Sequence, residues 1–137
     1  MTLMKKFLGA LLFTASSALA ATPLVIPVAV PPGVSGPKAA PVEATAVRFN
    51  AEALFAMAPG DVAQLALPNG QSHDFVFERA IDYGGGIRTW IGRSVEKGDS
   101  RRAILTQGPG GTFGYAQAPD LEYRLYPGEN NDWLAAR

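Results

Sequence analysis

The chain has 137 residues, with 12 basic and 12 acidic side chains, one His and no Cys. No disulfide framework can staple it, and no excess of basic charge suits it to nucleic acid. Its fold must rest on one hydrophobic core, with hydrophobic residues at 47% of the sequence.

In chain order, the first element is a targeting segment. Lys5 and Lys6 precede an apolar run at residues 7–15, and Ala18-Leu19-Ala20 supplies small residues for a signal peptidase. That order predicts a secretory leader over residues 1–20. The run is too short for a membrane span, which needs about 20 apolar residues, and no later segment offers one. Cleavage there removes Lys5 and Lys6, so 12 − 2 leaves 10 basic against 12 acidic groups. The mature chain would be exported, periplasmic or extracellular, with no electrostatic pull toward an anionic membrane.

Residues 21–45 are rich in Pro and Ala. Proline fixes φ and lacks a ladder donor, so this stretch reads as an extended linker of polyproline type. An edge strand over residues 24–30 is the alternative. The folded part is expected over residues 46–137. Val47 and Phe49 fit a first strand, and Asn50 is placed to cap a short helix over residues 51–57 with Leu54 and Phe55 inward. Pro59-Gly60 ends it.

From Val62 onward the pattern is strand and turn. Asn69-Gly70 predicts a two-residue hairpin turn with both residues at positive φ. Residues 72–83 alternate, with Phe75, Phe77, Ile81 and Tyr83 on one face and Asp74, Glu78 and Asp82 on the other. Arg79 breaks the apolar face and marks an edge or a bend. Gly84-Gly85-Gly86 is a turn. Further strands are predicted over residues 87–93, 102–106, 112–117 and 121–126, and one more from Trp133. The fold class is therefore all-β: a small antiparallel meander forming a sandwich or open barrel, with one short N-terminal helix and a Pro-rich arm.

Little in this pattern suggests chemistry. His73 is the sole His, so a zinc helix with two His residues is impossible, and no Cys can supply a thiolate. It reads as a packing or turn residue. Ser72, His73 and Asp74 are strand neighbours, which point to opposite faces and cannot assemble a triad. The glycine-rich segments at 84–86 and 108–111 precede strands rather than helices, so they are hairpin turns and not phosphate loops. Residues 128–132 carry oxygen ligands without EF-hand spacing. Arg101-Arg102 could attract a processing protease, but it sits at a strand edge. No catalytic residue, metal or cofactor is expected. The candidates for function are aromatic. Trp90, Phe113, Tyr115, Tyr123 and Tyr126 form either a partner-binding patch or part of the core.

The segments Thr89-Trp90-Ile91-Gly92-Arg93, SRRAILT over residues 100–106, Phe113-Gly114-Tyr115 and Glu122 onward to Pro127, with Leu67 to Gly70 before them, carry a resemblance. Over residues 47–134 the chain resembles the N-terminal propeptide region of bacterial secreted reprolysin-like zinc metallopeptidases. The resemblance implies a non-catalytic prodomain-like module, either a truncated precursor or a stand-alone relative. Its implied partner is a secreted zinc metallopeptidase, in cis or in trans, which it would inhibit or help to fold. The alternative is a cell-envelope binding or assembly module with no protease partner.

Overall fold

The computed structural model describes residues 21–30, 44–96, 98–119 and 121–137. The leader expected at residues 1–20 and the middle of the Pro-rich stretch, residues 31–43, lie outside them. The described residues form ten strands and one short helix. The strands are β1 (Thr22–Pro23), β2 (Val25–Pro27), β3 (Thr45–Phe49), β4 (Val62–Ala66), β5 (Ser72–Gly84), β6 (Ile87–Ser94), β7 (Gly98–Gly108), β8 (Gly111–Gln117), β9 (Glu122–Tyr126) and β10 (Asp132–Ala136); the helix α1 (Ala51–Phe55) follows β3.

β4 to β10 run as one antiparallel meander, each strand paired with the next in sequence. β10 then pairs antiparallel with β3, and β3 with β2. At the other end of the sheet β1 pairs with β4 in parallel, Thr22 opposite Ala63 and Pro23 opposite Gln64. β1 and β2 are consecutive in the chain, separated only by Leu24. One segment therefore lies on both free edges of the sheet and brings them together. Of the two architectures the sequence leaves open, the sheet takes the barrel.

This closing segment falls where an extended linker was expected. Leu24 and Val25 are buried in the core, and Leu24 N donates to Gln64 O at 2.8 Å. The prolines sit where the ladder needs little from them, since Pro23 and Pro27 occupy the ends of very short strands.

Asn50 departs from its expected role for the same reason. Its side chain makes no cap to α1. Instead Asn50 Nδ2 donates to Pro23 O at 2.9 Å, and Asn50 N donates to Leu24 O at 3.2 Å. The residue clamps the closing segment, while its own carbonyl accepts the helix bond from Leu54 N at 3.0 Å.

The β4–β5 hairpin is also wider than the Asn-Gly pair suggests. Asn69 has no positive φ; Gly70 does, at 89°. Gly70 N donates to Leu67 O at 3.0 Å and Leu67 N donates to Gln71 O at 2.8 Å. Pro68 and Asn69 thus form the corner of a type I turn, and Gly70 takes the left-handed position that completes a three-residue loop. Pro68 decides the outcome: its fixed φ suits the first corner of a type I turn, and it has no N–H for the hydrogen-bonded pair that would flank a two-residue Asn-Gly loop.

β5 changes face midway. Phe77 lies opposite Gly92 but Arg79 lies opposite Ile91, so Glu78 is an extra residue. This bulge reverses the alternation beyond it. Phe75 and Phe77 are buried as expected, whereas Ile81 is half-buried and Tyr83 exposed, both off the core. Arg79 marks this bend and stays exposed. Glu78 binds Arg102 and lies 4.0 Å from Arg93 on the outer face.

The core fills the barrel interior. Leu24, Leu54, Leu65, Phe75, Trp90 and Leu105 are its fully buried side chains. Phe77 stacks on Trp90 with ring centroids 5.4 Å apart. α1 plugs one rim: Leu54 is fully buried, Phe55 meets Phe49 edge-on at 6.0 Å, and the Arg88 guanidinium lies 4.0 Å over the Phe55 ring. The β5–β6, β7–β8 and β9–β10 turns surround that same rim.

Candidate partner-binding surface

Successive strand residues point to opposite faces of a sheet, so the register sorts the five aromatic candidates. Trp90 and Tyr123 belong to the interior core. Phe113, Tyr115 and Tyr126 lie on the alternate positions of β8 and β9 and face outward. The five do not form one patch, because two of them build the core beneath the other three.

The outer three are placed by strand pairing. Ile91, Ile104, Tyr115 and Arg124 follow one another across β6, β7, β8 and β9 as successive register partners. The Gly114–Leu125 pair sets Phe113 and Tyr126 at the same level of adjacent strands, and Tyr126 lies opposite Trp133 on β10. Arg124 is held by Glu122, Nε to Oε2 at 2.7 Å. One continuous outer strip thus carries isoleucine, tyrosine and phenylalanine, bordered by a paired arginine. Phe113 is 53% exposed, a large apolar side chain left in water.

Beside Phe113 the strip opens into an apolar recess of about 310 Å³, lined by Ile87, Pro109, Phe113 and Pro127 and by the glycine backbone of the β7–β8 turn. Ile87 is itself 40% exposed. The sequence reading missed Ile87, Pro109 and Pro127 as surface residues. Their signal was present: each lies in or beside a turn that returns to the rim next to Phe113.

On the inner side of the β7–β8 turn lies a polar cleft of about 910 Å³, lined by Arg48, Asn50, Glu52, Gln107 and residues 127–132 among others. The carboxylate nearest the core, Asp132, accepts from Thr112 N at 3.0 Å and so serves the fold. Among the described residues no group of three His, Cys, Asp or Glu side chains is gathered to hold a metal. His73 faces the interior opposite Leu65, its ring 6.3 Å from that of Tyr123, and its Nε2 is buried with no hydrogen-bond partner among the described residues.

Aromatic and arginine side chains are the types enriched where proteins meet, and a recess beside an exposed Phe can receive an apolar anchor from a partner.

Comparison with known proteins places the chain. The model of the BamI lipocalin-like domain matches residues 31–136, a span that includes every strand from β3 to β10. No curated protein matches it. Among solved structures, one described as "Structure of a chaperone-substrate complex" superposes with a TM-score of 0.62 at 12% identity, covering 84% of this chain and 86% of that chain. At that identity the likeness concerns the fold.

The family match overturns the metallopeptidase-propeptide resemblance, and with it the inhibitor or folding-assistant role and the zinc metallopeptidase as partner. The physical reason lies in the motif that carried it. In TWIGR, Thr89 bonds Thr106 across the strands at 2.8 Å, Trp90 fills the core, and Gly92 lies where a Cβ would meet the Trp90 ring at 2.7 Å. Those residues serve barrel packing, which any antiparallel meander of this size requires. The chain belongs to the BamI lipocalin-like domain family.

Proposed function

We propose that this protein is a non-catalytic module of the cell envelope that binds another protein in an assembly or chaperone complex. Binding runs through the outer strip of Phe113, Tyr115 and Tyr126, with the recess of Ile87, Pro109 and Pro127 as the anchor point. The observation that carries the reading is Phe113, left 53% exposed on a strand face beside an apolar recess. An exposed large apolar side chain beside a shaped cavity suits a binding site better than a monomer surface. Membership of the BamI lipocalin-like family supports an envelope role, and a protein of the same fold has been solved as a chaperone–substrate complex.

The leader at residues 1–20 is removed on export in this account, and the mature module works on the periplasmic side of the envelope. A strain lacking the protein should show a leakier envelope, measured by sensitivity to large apolar antibiotics. Wild-type protein should restore the barrier and a Phe113→Asp variant of equal abundance should not. Full rescue by Phe113→Asp would remove this surface from the function.

A further inference from the structure

The barrel is closed by a strap that is held unequally on its two sides. Against β3, the segment makes an antiparallel pairing over Val25, Ile26 and Pro27, and Val28 N adds a bond to Ala46 O at 3.1 Å. Against β4 it makes two register pairs, in the one parallel pairing of an otherwise antiparallel sheet, and Leu24 N adds a bond to Gln64 O at 2.8 Å. β4 meets β5, by contrast, over five register pairs. Parallel pairing is slightly weaker per residue, and Pro23 has no N–H to give the ladder. Beyond these short ladders, the strap is located by burial of Leu24 and Val25 and by the two hydrogen bonds from Asn50.

When the strap leaves, the backbone of β4 becomes an open strand edge, which is a template for another extended chain. The occupant whose chemistry matches that edge is already known: residues 22–27 themselves. Another copy of the chain carries the same Leu24, the same Pro23 carbonyl for Asn50, and the same short ladder. Residues 28–44 connect the strap to β3, a contour of up to about 60 Å. That length allows a strap to reach a neighbouring molecule. Exchange of an identical element is a low-cost route to a dimer, because every contact in the swapped form already exists in the closed one.

We propose that the β1–β4 seam is an exchange site at which the residue 22–27 strap of a second copy replaces the chain's own, giving a strap-swapped dimer. This does not depend on the partner-binding strip, which lies on β6 to β9. The closed monomer has the advantage of an intramolecular strap, whose effective concentration is set by the chain that joins it to β3. Exchange is therefore expected in concentrated protein or when chains fold together.

The natural chain has no Cys, so introduced thiols report without background. Full-length mature protein would be prepared as Thr22→Cys and as Ala63→Cys, register partners across the seam. The two would be mixed, unfolded and refolded together at high concentration, then oxidised. The expected product is a mixed disulfide of twice the chain mass, in excess of either homodimer, which reductant returns to monomer. The double variant refolded in dilute solution should instead close its disulfide within one chain. Ala63 is fully buried, so a second pair, Pro23→Cys with Gln64→Cys, gives the same readout should Ala63→Cys fail to fold. Only monomers from the mixture, homodimers in equal amount, or a double variant that cannot close its own disulfide would each overturn the proposal.

Discussion

Trp90 donates its indole N–H to the Leu54 carbonyl at 3.2 Å, joining the centre of β6 to the helix that plugs the barrel. Both side chains are fully buried. The bond meets a polar need that burial creates, since an indole N–H without a partner in the core is costly. It also explains why so short a helix holds its place. α1 has five residues and no side-chain cap, far below the length at which a helix is stable alone. Its position comes from Leu54 in the core, Phe55 against Phe49, and this bond.

Trp90→Ala should therefore destabilise the protein by about 3–5 kcal/mol, as large aromatic truncations in a core do. Trp90→Phe keeps much of the packing against Phe77 and removes the donor. Its cost should be smaller, about 1–3 kcal/mol, because the Leu54 carbonyl keeps its bond from Met57 N at 3.3 Å while losing the one from the indole. Urea unfolding of both variants checks the order. A Trp90→Phe variant as stable as wild type would show that the helix does not rely on the bond.

The strap offers a second test. Leu24→Ala removes a buried side chain that locates residues 22–27 and should cost about 2–5 kcal/mol. Residues 21–45 read as a linker because six prolines dominate the composition. Leu24 and Val25, a pair of apolar residues among them, had no alternation to mark them as a strand. An unfolding midpoint unchanged by Leu24→Ala would mean that the strap contributes nothing to the closed barrel.

Gly114 offers a third. Its φ is 140°, and a Cβ there would lie 2.1 Å from the Ile104 carbonyl oxygen. Neither can relax cheaply, since the obstruction is backbone of the neighbouring strand. Gly114→Ala should cost about 2–5 kcal/mol, combining backbone strain with overpacking. Thermal unfolding measures it. A shift below that of an ordinary surface substitution would contradict the close approach of β7 and β8.

The sequence made the meander legible because its signals are local. Alternation at Phe75 and Phe77, the Gly84–Gly86 turn and the β-branched runs that follow each report on their own neighbours. What stayed hidden is set by contacts distant in sequence. Asn50 looks like a helix cap until Pro23 arrives 27 residues away to take its amide. Glu78 looks like one more polar alternate until its pairing with Arg102 and the step in the β5–β6 register show a bulge. The aromatic candidates divide in the same way. Tyr123 and Tyr126 lie three apart in one strand, so they point to opposite faces, yet only closure of the sheet decides which face is inside. The strand parity was readable, and the sense of the barrel was not.

The central claim is that the Phe113 strip binds a protein of the envelope, and photo-crosslinking in living cells tests it most directly. A photoreactive residue would replace Phe113 in one strain and Asn69, on the opposite rim, in another. The account predicts a defined adduct from position 113 with an assembly or chaperone component of the envelope. It predicts loss of that adduct when Tyr126→Asp is added, with the unfolding midpoint held, and no such adduct from position 69. No adduct at position 113, or the same adducts from both positions, would contradict it.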